Sequence, residues 1–138
     1  HRITGIDISA AMLKQAARYK GAHIELKLMN GEKLDFDDCQ FDYVVLSHVI
    51  AVAAYPEKLL EEVHRVVKGN GQVLILNHFT PRNGLRYLDK AFQSLSFIFH
   101  FRSLFYTDSI RALKKFALIK EISFGRLSYF KLLIFSKP

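Results

Sequence analysis

The order of apolar runs along the chain predicts a three-layer α/β domain with a mostly parallel sheet and an antiparallel hairpin at its end. Three observations carry this. Strand-like and helix-like periodicities alternate through most of the length. Tyr43, Val44, Val45 and Leu46 form an unbroken apolar run, as expected for a central parallel strand buried on both faces. Residues 118–124 and 129–135, on either side of Gly125-Arg126, alternate as paired strands do. With 138 residues, half of them apolar, the chain can bury the core of one domain. It has no repeat, low-complexity tract or Pro/Gly-rich linker, so no boundary is placed inside it.

The elements follow in order. Ile3–Asp7 is a short apolar strand ending in an acid. Residues 10–19 form a helix whose Met12, Leu13, Ala16 and Ala17 share one face, with Ser9 as N-cap and Gly21 as terminator. Ile24, Leu26 and Leu28 alternate with Glu25 and Lys27 in a second strand, and Asn30-Gly31 turns the chain. Asp35, Asp37 and Asp38 make a solvated turn before the apolar strand at Phe41–Ser47. Pro56 opens a helix with the stripe Leu59, Leu60, Val63, Val66 and Val67, closed by Lys68-Gly69. Residues 73–76 are the next buried strand, residues 80–106 read as one or two helices, and Thr107-Asp108 caps a short helix over 109–116.

Composition narrows the function. Cys39 is the sole cysteine, which excludes an internal disulfide or a multi-cysteine zinc site and fits a reducing cytoplasm. The histidines do not cluster, so no metal is expected. A net charge of +7 suits an anionic partner such as nucleic acid or an acidic lipid surface, or serves only solubility. No apolar run approaches the roughly 18–20 residues that span a bilayer. The chain opens at His1 with the first strand almost at once, which reads as a cut chain.

Ligands of open parallel sheets bind beyond the carboxyl ends of the strands. Here those ends carry Asp7, Asn30, Ser47-His48 and Asn77-His78. Asp7 sits where an acid can accept hydrogen bonds from both hydroxyls of a ribose, and a helix-capping aspartate is the plainer alternative. Gly69 and Gly71 precede a strand and so do not form a phosphate loop.

Several spaced pieces together resemble the class I S-adenosylmethionine-dependent methyltransferases, along nearly the whole chain. Gly5-Ile6-Asp7-Ile8-Ser9 with Met12-Leu13 resembles the family's second-strand motif. Asn30-Gly31-Glu32 with Leu34 and Phe36 resembles its Asp-Ala-Glu-x-Leu-x-Phe segment, and Phe41-Asp42-Tyr43-Val44-Val45 its fourth strand. Glu62-Val63-His64-Arg65-Val66-Val67-Lys68-Gly69-Asn70-Gly71 is similar to its Glu-x-x-Arg-Val-Leu-Lys-Pro-Gly-Gly helix end, with Asn70 tolerating a left-handed turn. The resemblance implies a Rossmann-like fold and S-adenosyl-L-methionine as cofactor. It implies cofactor contacts from Asp7, Ile8 and Met12, from Asn30, Gly31 and Glu32, and from Ser47. It also implies that the family's first strand and Gly-rich loop lie outside this chain. That strand is expected between the strands ending at Asp7 and Ser47, and the native protein is expected to supply it.

A finer resemblance, through Asn77-His78-Phe79, His100-Phe101-Arg102-Ser103-Leu104-Phe105 and Tyr129-Phe130-Lys131-Leu132-Leu133-Ile134-Phe135, is to the Rhodobacter-type phosphatidylethanolamine N-methyltransferases. It implies methylation of the ethanolamine headgroup. An ammonium must lose a proton before it can be methylated, and an imidazole can accept it, so His78, then His48, are the candidate proton acceptors with Asn77 as hydrogen-bonding partner. Leu88, Phe92, Leu95 and Phe99 at helical spacing, with Arg82, Arg86, Lys90 and Arg102, suit a cap at an anionic membrane surface or a helix packed on the core. The expected setting is the cytoplasm, with peripheral attachment to its membrane, and no nucleic-acid partner. A quinone, sterol or other small-molecule methyltransferase is the main alternative, a nicotinamide oxidoreductase a lesser one, and a non-catalytic fragment the third.

Overall fold

The computed structural model describes residues 1–78, 110–124 and 130–138, with the side chain of His78 left aside. The expected helices of 80–106, the aromatic and basic stripe within them, the Thr107-Asp108 cap and the Gly125-Arg126 turn lie outside the described residues.

Among the described residues, six strands form two sheets. Strands β1 (Ile3–Asp7) and β2 (Ile24–Leu28) pair in parallel, Ile3 opposite Ile24 and Asp7 opposite Leu28. Strands β3 (Phe41–Ser47), β4 (Val67–His78), β6 (Phe130–Ser136) and β5 (Ala117–Ser123) form the second sheet in that spatial order. The β3–β4 pair is parallel and the two ladders made by β6 are antiparallel, which is the predicted hairpin. Between β1 and β2 runs helix α1 (Ala10–Ala16), and between β3 and β4 runs α2 (Pro56–Val66).

Local signals explain the helix starts. The Ser9 hydroxyl accepts from the Met12 N–H at 3.3 Å, satisfying one of the first-turn donors of α1. Pro56 stands in the first turn of α2, where its missing N–H costs nothing. The predicted stripe faces the core: Leu59, Leu60, Val63 and Val66 of α2 and Val67, the first residue of β4, are all buried, and Leu59, Leu60, Val63 and Val67 pack with Leu46, Val73, Ile75, Leu133 and Phe135 of the sheet.

Three expectations are corrected. Helix α1 stops at Ala16, not residue 19, and buries none of its residues, because a two-stranded sheet offers little apolar surface to pack on. Strand β3 is the edge of its sheet and is covered on one face only. Val44 and Leu46 pack inward, while Tyr43 and Val45 stand 62% and 63% exposed. Lys68-Gly69 does not close α2, which ends at Val66 with an extended cap at Val67; both residues belong to β4. Asn70, at φ 61°, then turns left-handed, as the resemblance implied, and its N–H donates to the Lys137 carbonyl at 2.9 Å. Gly71 is required just after it, since a Cβ there would stand 2.9 Å from the Lys68 carbonyl and 3.0 Å from that of Asp42.

The helix expected at 109–116 is a 3-10 turn, Arg111–Lys115. Its N-terminal donors are satisfied by a distant side chain: the Arg111 and Ala112 N–H groups donate to the Glu57 carboxylate at 2.7 and 2.8 Å, tying the turn to α2. At the other end of α2, the Lys137 ammonium donates to the carbonyls of His64 and Val67 at 2.8 and 3.0 Å.

His64 stacks edge-on against Phe116 with ring centroids 5.2 Å apart. Burial, reinforced by the charges of Lys137 and Lys115, holds its imidazole below the ordinary value. The fold therefore favours the neutral ring. That contribution is fully present above the unfolded-state value of 6.5 and is lost as pH falls through the lowered folded value. Denaturation midpoints measured from about pH 7.5 to pH 5 are expected to fall more steeply for the native chain than for His64→Gln.

Candidate cofactor and acceptor site

Parallel pairing brings the carboxyl ends of β1 and β2 side by side. The Met29 N–H donates to the Asp7 carbonyl at 3.0 Å, so the chain leaving β2 passes directly beside Asp7. One carboxylate oxygen of the half-buried Asp7 accepts from the Ser9 N–H at 2.8 Å. That bond fixes the side chain over the start of α1, and no other hydrogen bond to the carboxylate is made among the described residues. Ile8 and Met12 flank it, 75% and 53% exposed, and Leu28 is exposed beside them.

Asn30 follows in a tight turn. Its side-chain oxygen accepts from the Glu32 N–H at 2.9 Å and its carbonyl from Lys33 N–H at 3.1 Å. One lone pair of that oxygen and both amide N–H donors remain for a purine edge. Gly31 lets α2 approach, since a Cβ there would stand 2.8 Å from Leu59 Cδ1. The Glu32 carboxylate accepts from the Tyr55 N–H at 2.8 Å and ties this loop to the start of α2.

The residues after the loop are held by one guanidinium, whose role the sequence did not disclose. Arg65 donates to the carbonyls of Leu34 and Phe36 at 2.9 and 2.7 Å, to Asp38 at 2.8 Å and to both Glu62 oxygens at 2.9 Å. Glu62 also accepts from the Leu34 N–H at 2.7 Å. Hydrogen bonding from Arg65 holds the Glu62 carboxyl below its usual range, and the same partners raise the guanidinium. The only sequence signal was the spacing of three between Glu62 and Arg65 in the motif, which places both on one helix face.

The second group of site residues lies at the ends of β3 and β4. Ser47 is exposed and pairs in register with Leu76. His48 adopts φ 57°, its N–H donates to the Leu76 carbonyl at 2.8 Å, and its ring meets Phe130 edge-on at 5.8 Å. Asn77 is 1% exposed, and its side-chain Nδ2 has no hydrogen-bond partner among the described residues. His78 ends the strand, in register with Phe130. The structure thus forms two clusters, Asp7 with Asn30 and Ser47-His48 with Asn77-His78. They are linked through α2 by the Glu32–Tyr55 bond and the Gly31–Leu59 contact.

The first cluster fits an adenosine. A fixed carboxylate can accept from two ribose hydroxyls, exposed aliphatic groups can cover a purine face, and the turn amide can address its edge.

Known proteins agree. Residues 1–75 match the family model described as methyltransferase domain. The chain is 39% identical over 100 residues, 66% of its length, to a phosphatidylethanolamine N-methyltransferase of Cereibacter sphaeroides, and spans 49% of that relative. It is 33% identical over 85 residues, 62% of its length, to a ubiquinone/menaquinone biosynthesis C-methyltransferase of Rubrivivax gelatinosus, spanning 34% of it. The solved structure of the N-methyltransferase NodS from Bradyrhizobium japonicum, in complex with S-adenosyl-L-homocysteine, superimposes with a TM-score of 0.73 at 11% identity, over 99% of this chain and 67% of that one. The chain belongs to the methyltransferase domain family, with the Rossmann-like fold of the class I S-adenosylmethionine-dependent enzymes.

Proposed function

We propose that the protein methylates the ethanolamine nitrogen of phosphatidylethanolamine, with S-adenosylmethionine as methyl donor. The observation that carries this reading is the 39% identity to the Cereibacter enzyme. The excess of Lys and Arg, net +7, suits work at an anionic bilayer from the cytoplasmic side. Among the described residues no helix is long and apolar enough to cross a membrane, so attachment in this reading is peripheral.

When bound, S-adenosylmethionine supplies a methyl group on a positively charged sulfur. Asp7 and Asn30 hold its adenosine, and the ends of β3 and β4 hold the acceptor. The protonated headgroup first gives a proton to the imidazole of His78 or His48. Deprotonation frees the nitrogen lone pair, and the ends of β3 and β4 would hold that nitrogen in line with the methyl group the bound cofactor would supply. The reading also includes a parallel strand between β1 and β3. Its support is that the two sheets are separate and that, among the described residues, both strands lack a ladder partner on one side.

The quinone reading has its own support in the C-methyltransferase relative. Incubating the protein and methyl-labelled cofactor with vesicles containing phosphatidylethanolamine and anionic lipid, or with a reduced demethylquinone, separates the two. Label in monomethyl-phosphatidylethanolamine is expected. Label in the quinol alone would overturn the lipid assignment.

A further inference from the structure

At the carboxyl end of β4, Asn77 carries a buried side-chain Nδ2 that has no hydrogen-bond partner among the described residues. Val73, Ile75 and Asn77 alternate along β4 and are each 1% exposed, so Asn77 is the last of a row packed into the core beneath α2. Its neighbours Val73 and Ile75 belong to the apolar cluster with Leu46, Ile50 and Ile110. Asn77 lies one residue beyond the final β3–β4 register pair, Ser47 with Leu76, where His48 leaves β3.

An unpaired buried N–H is destabilising in general, whereas an apolar group of the same shape carries no such penalty. Leucine shares the branched outline of asparagine, and an apolar side chain would suit the Val73–Ile75 row. An amide at this position is thus a poor choice for stability alone. Groups of this kind call for another explanation, and a ligand that completes the hydrogen bond is one.

We infer that the Asn77 amide donates to an oxygen of the methyl acceptor and so orients the acceptor atom. The inference rests on the proposed methyl transfer and adds to it the chemistry of the second substrate. That substrate carries a hydrogen-bond-accepting oxygen close to the atom that is methylated. A phosphodiester oxygen near the amine of an ethanolamine lipid and a ring oxygen beside the methylated carbon of a quinol both satisfy this.

Asn77→Leu tests it, with Asn77→Asp as a second variant that keeps the shape but replaces the donating nitrogen by an acceptor oxygen. For Asn77→Leu cofactor affinity is expected to hold and transfer by the folded protein to fall at least about tenfold. Asn77→Asp is expected to lose transfer at least as severely, because its carboxylate repels an oxygen. Unchanged transfer in either folded variant would mean that no substrate oxygen meets the amide, and overturns the inference.

Nuclear magnetic resonance supplies a readout apart from turnover. The Asn77 side-chain amide signals, assigned by their loss in Asn77→Leu, are expected to move on adding a short-chain phosphatidylethanolamine or a reduced demethylquinone. Whichever probe moves them identifies the source of the oxygen. If no acceptor is methylated, the proposed function fails, and signals unmoved by both probes still overturn the inference.

Discussion

Arg65→Met is expected to lower the thermal midpoint by at least about 5 °C and to weaken cofactor binding roughly tenfold, although Arg65 touches no cofactor. The guanidinium joins α2 to the carbonyls of Leu34 and Phe36 and to Asp38, and so fixes the path of the chain after Asn30. Removing it strands those carbonyls and leaves Glu62 with its Leu34 N–H bond but without its cation. Arg65→Lys is expected to recover little of the loss, because an ammonium cannot reach two carbonyls and a carboxylate with the fixed fork of a guanidinium. Thermal unfolding and a cofactor titration on both variants check this. A purely structural role predicts that the midpoint falls while the affinity of the folded protein is unchanged.

Asp7→Ala is expected to reduce cofactor affinity by roughly 10- to 100-fold, since each hydrogen bond to a charged group contributes about 1.5–3 kcal/mol. The effect on folding should be smaller. Among the described residues the carboxylate accepts one hydrogen bond, from the Ser9 N–H, and the Ser9 cap on α1 survives its loss. Asp7→Asn is expected to fall between, keeping an acceptor for Ser9 but losing the charge that strengthens bonds to ribose. Calorimetric titration with S-adenosyl-L-homocysteine measures both. Affinity unchanged in Asp7→Ala would return Asp7 to the plainer role of a helix-start carboxylate.

Signals local to a few residues were legible in the sequence. Ser9, Pro56, the α2 stripe, the Asn30 turn and the C-terminal hairpin each depend on neighbours within a turn or a strand pair, and each stands where its pattern placed it. Features set by distant partners were not. Residues Val67 to Gln72 read as a helix end and turn, yet they pair across to β3 and to the chain end at Lys137, about 70 residues away. Glu57 as the cap of a 3-10 turn, and Arg65 as the clamp on residues 34–38, are contacts that periodicity cannot encode. Strand β3 carried the apolar run of a fully buried strand, and its exposed Tyr43 and Val45 follow from its place at a sheet edge. At the candidate site, long-range contacts were equally hidden: the Glu32 carboxylate braces the start of α2, and the buried Asn77 Nδ2 has no hydrogen-bond partner among the described residues.

Hydrogen exchange of the protein with and without S-adenosyl-L-homocysteine tests the central claim most directly, that the ends of β1 and β2 hold the adenosine of the cofactor. The expected result is slowed exchange in residues 7–13 and 29–34, fading in Asp7→Ala. Protection confined to the β5–β6 hairpin, or none at saturating ligand, would contradict it.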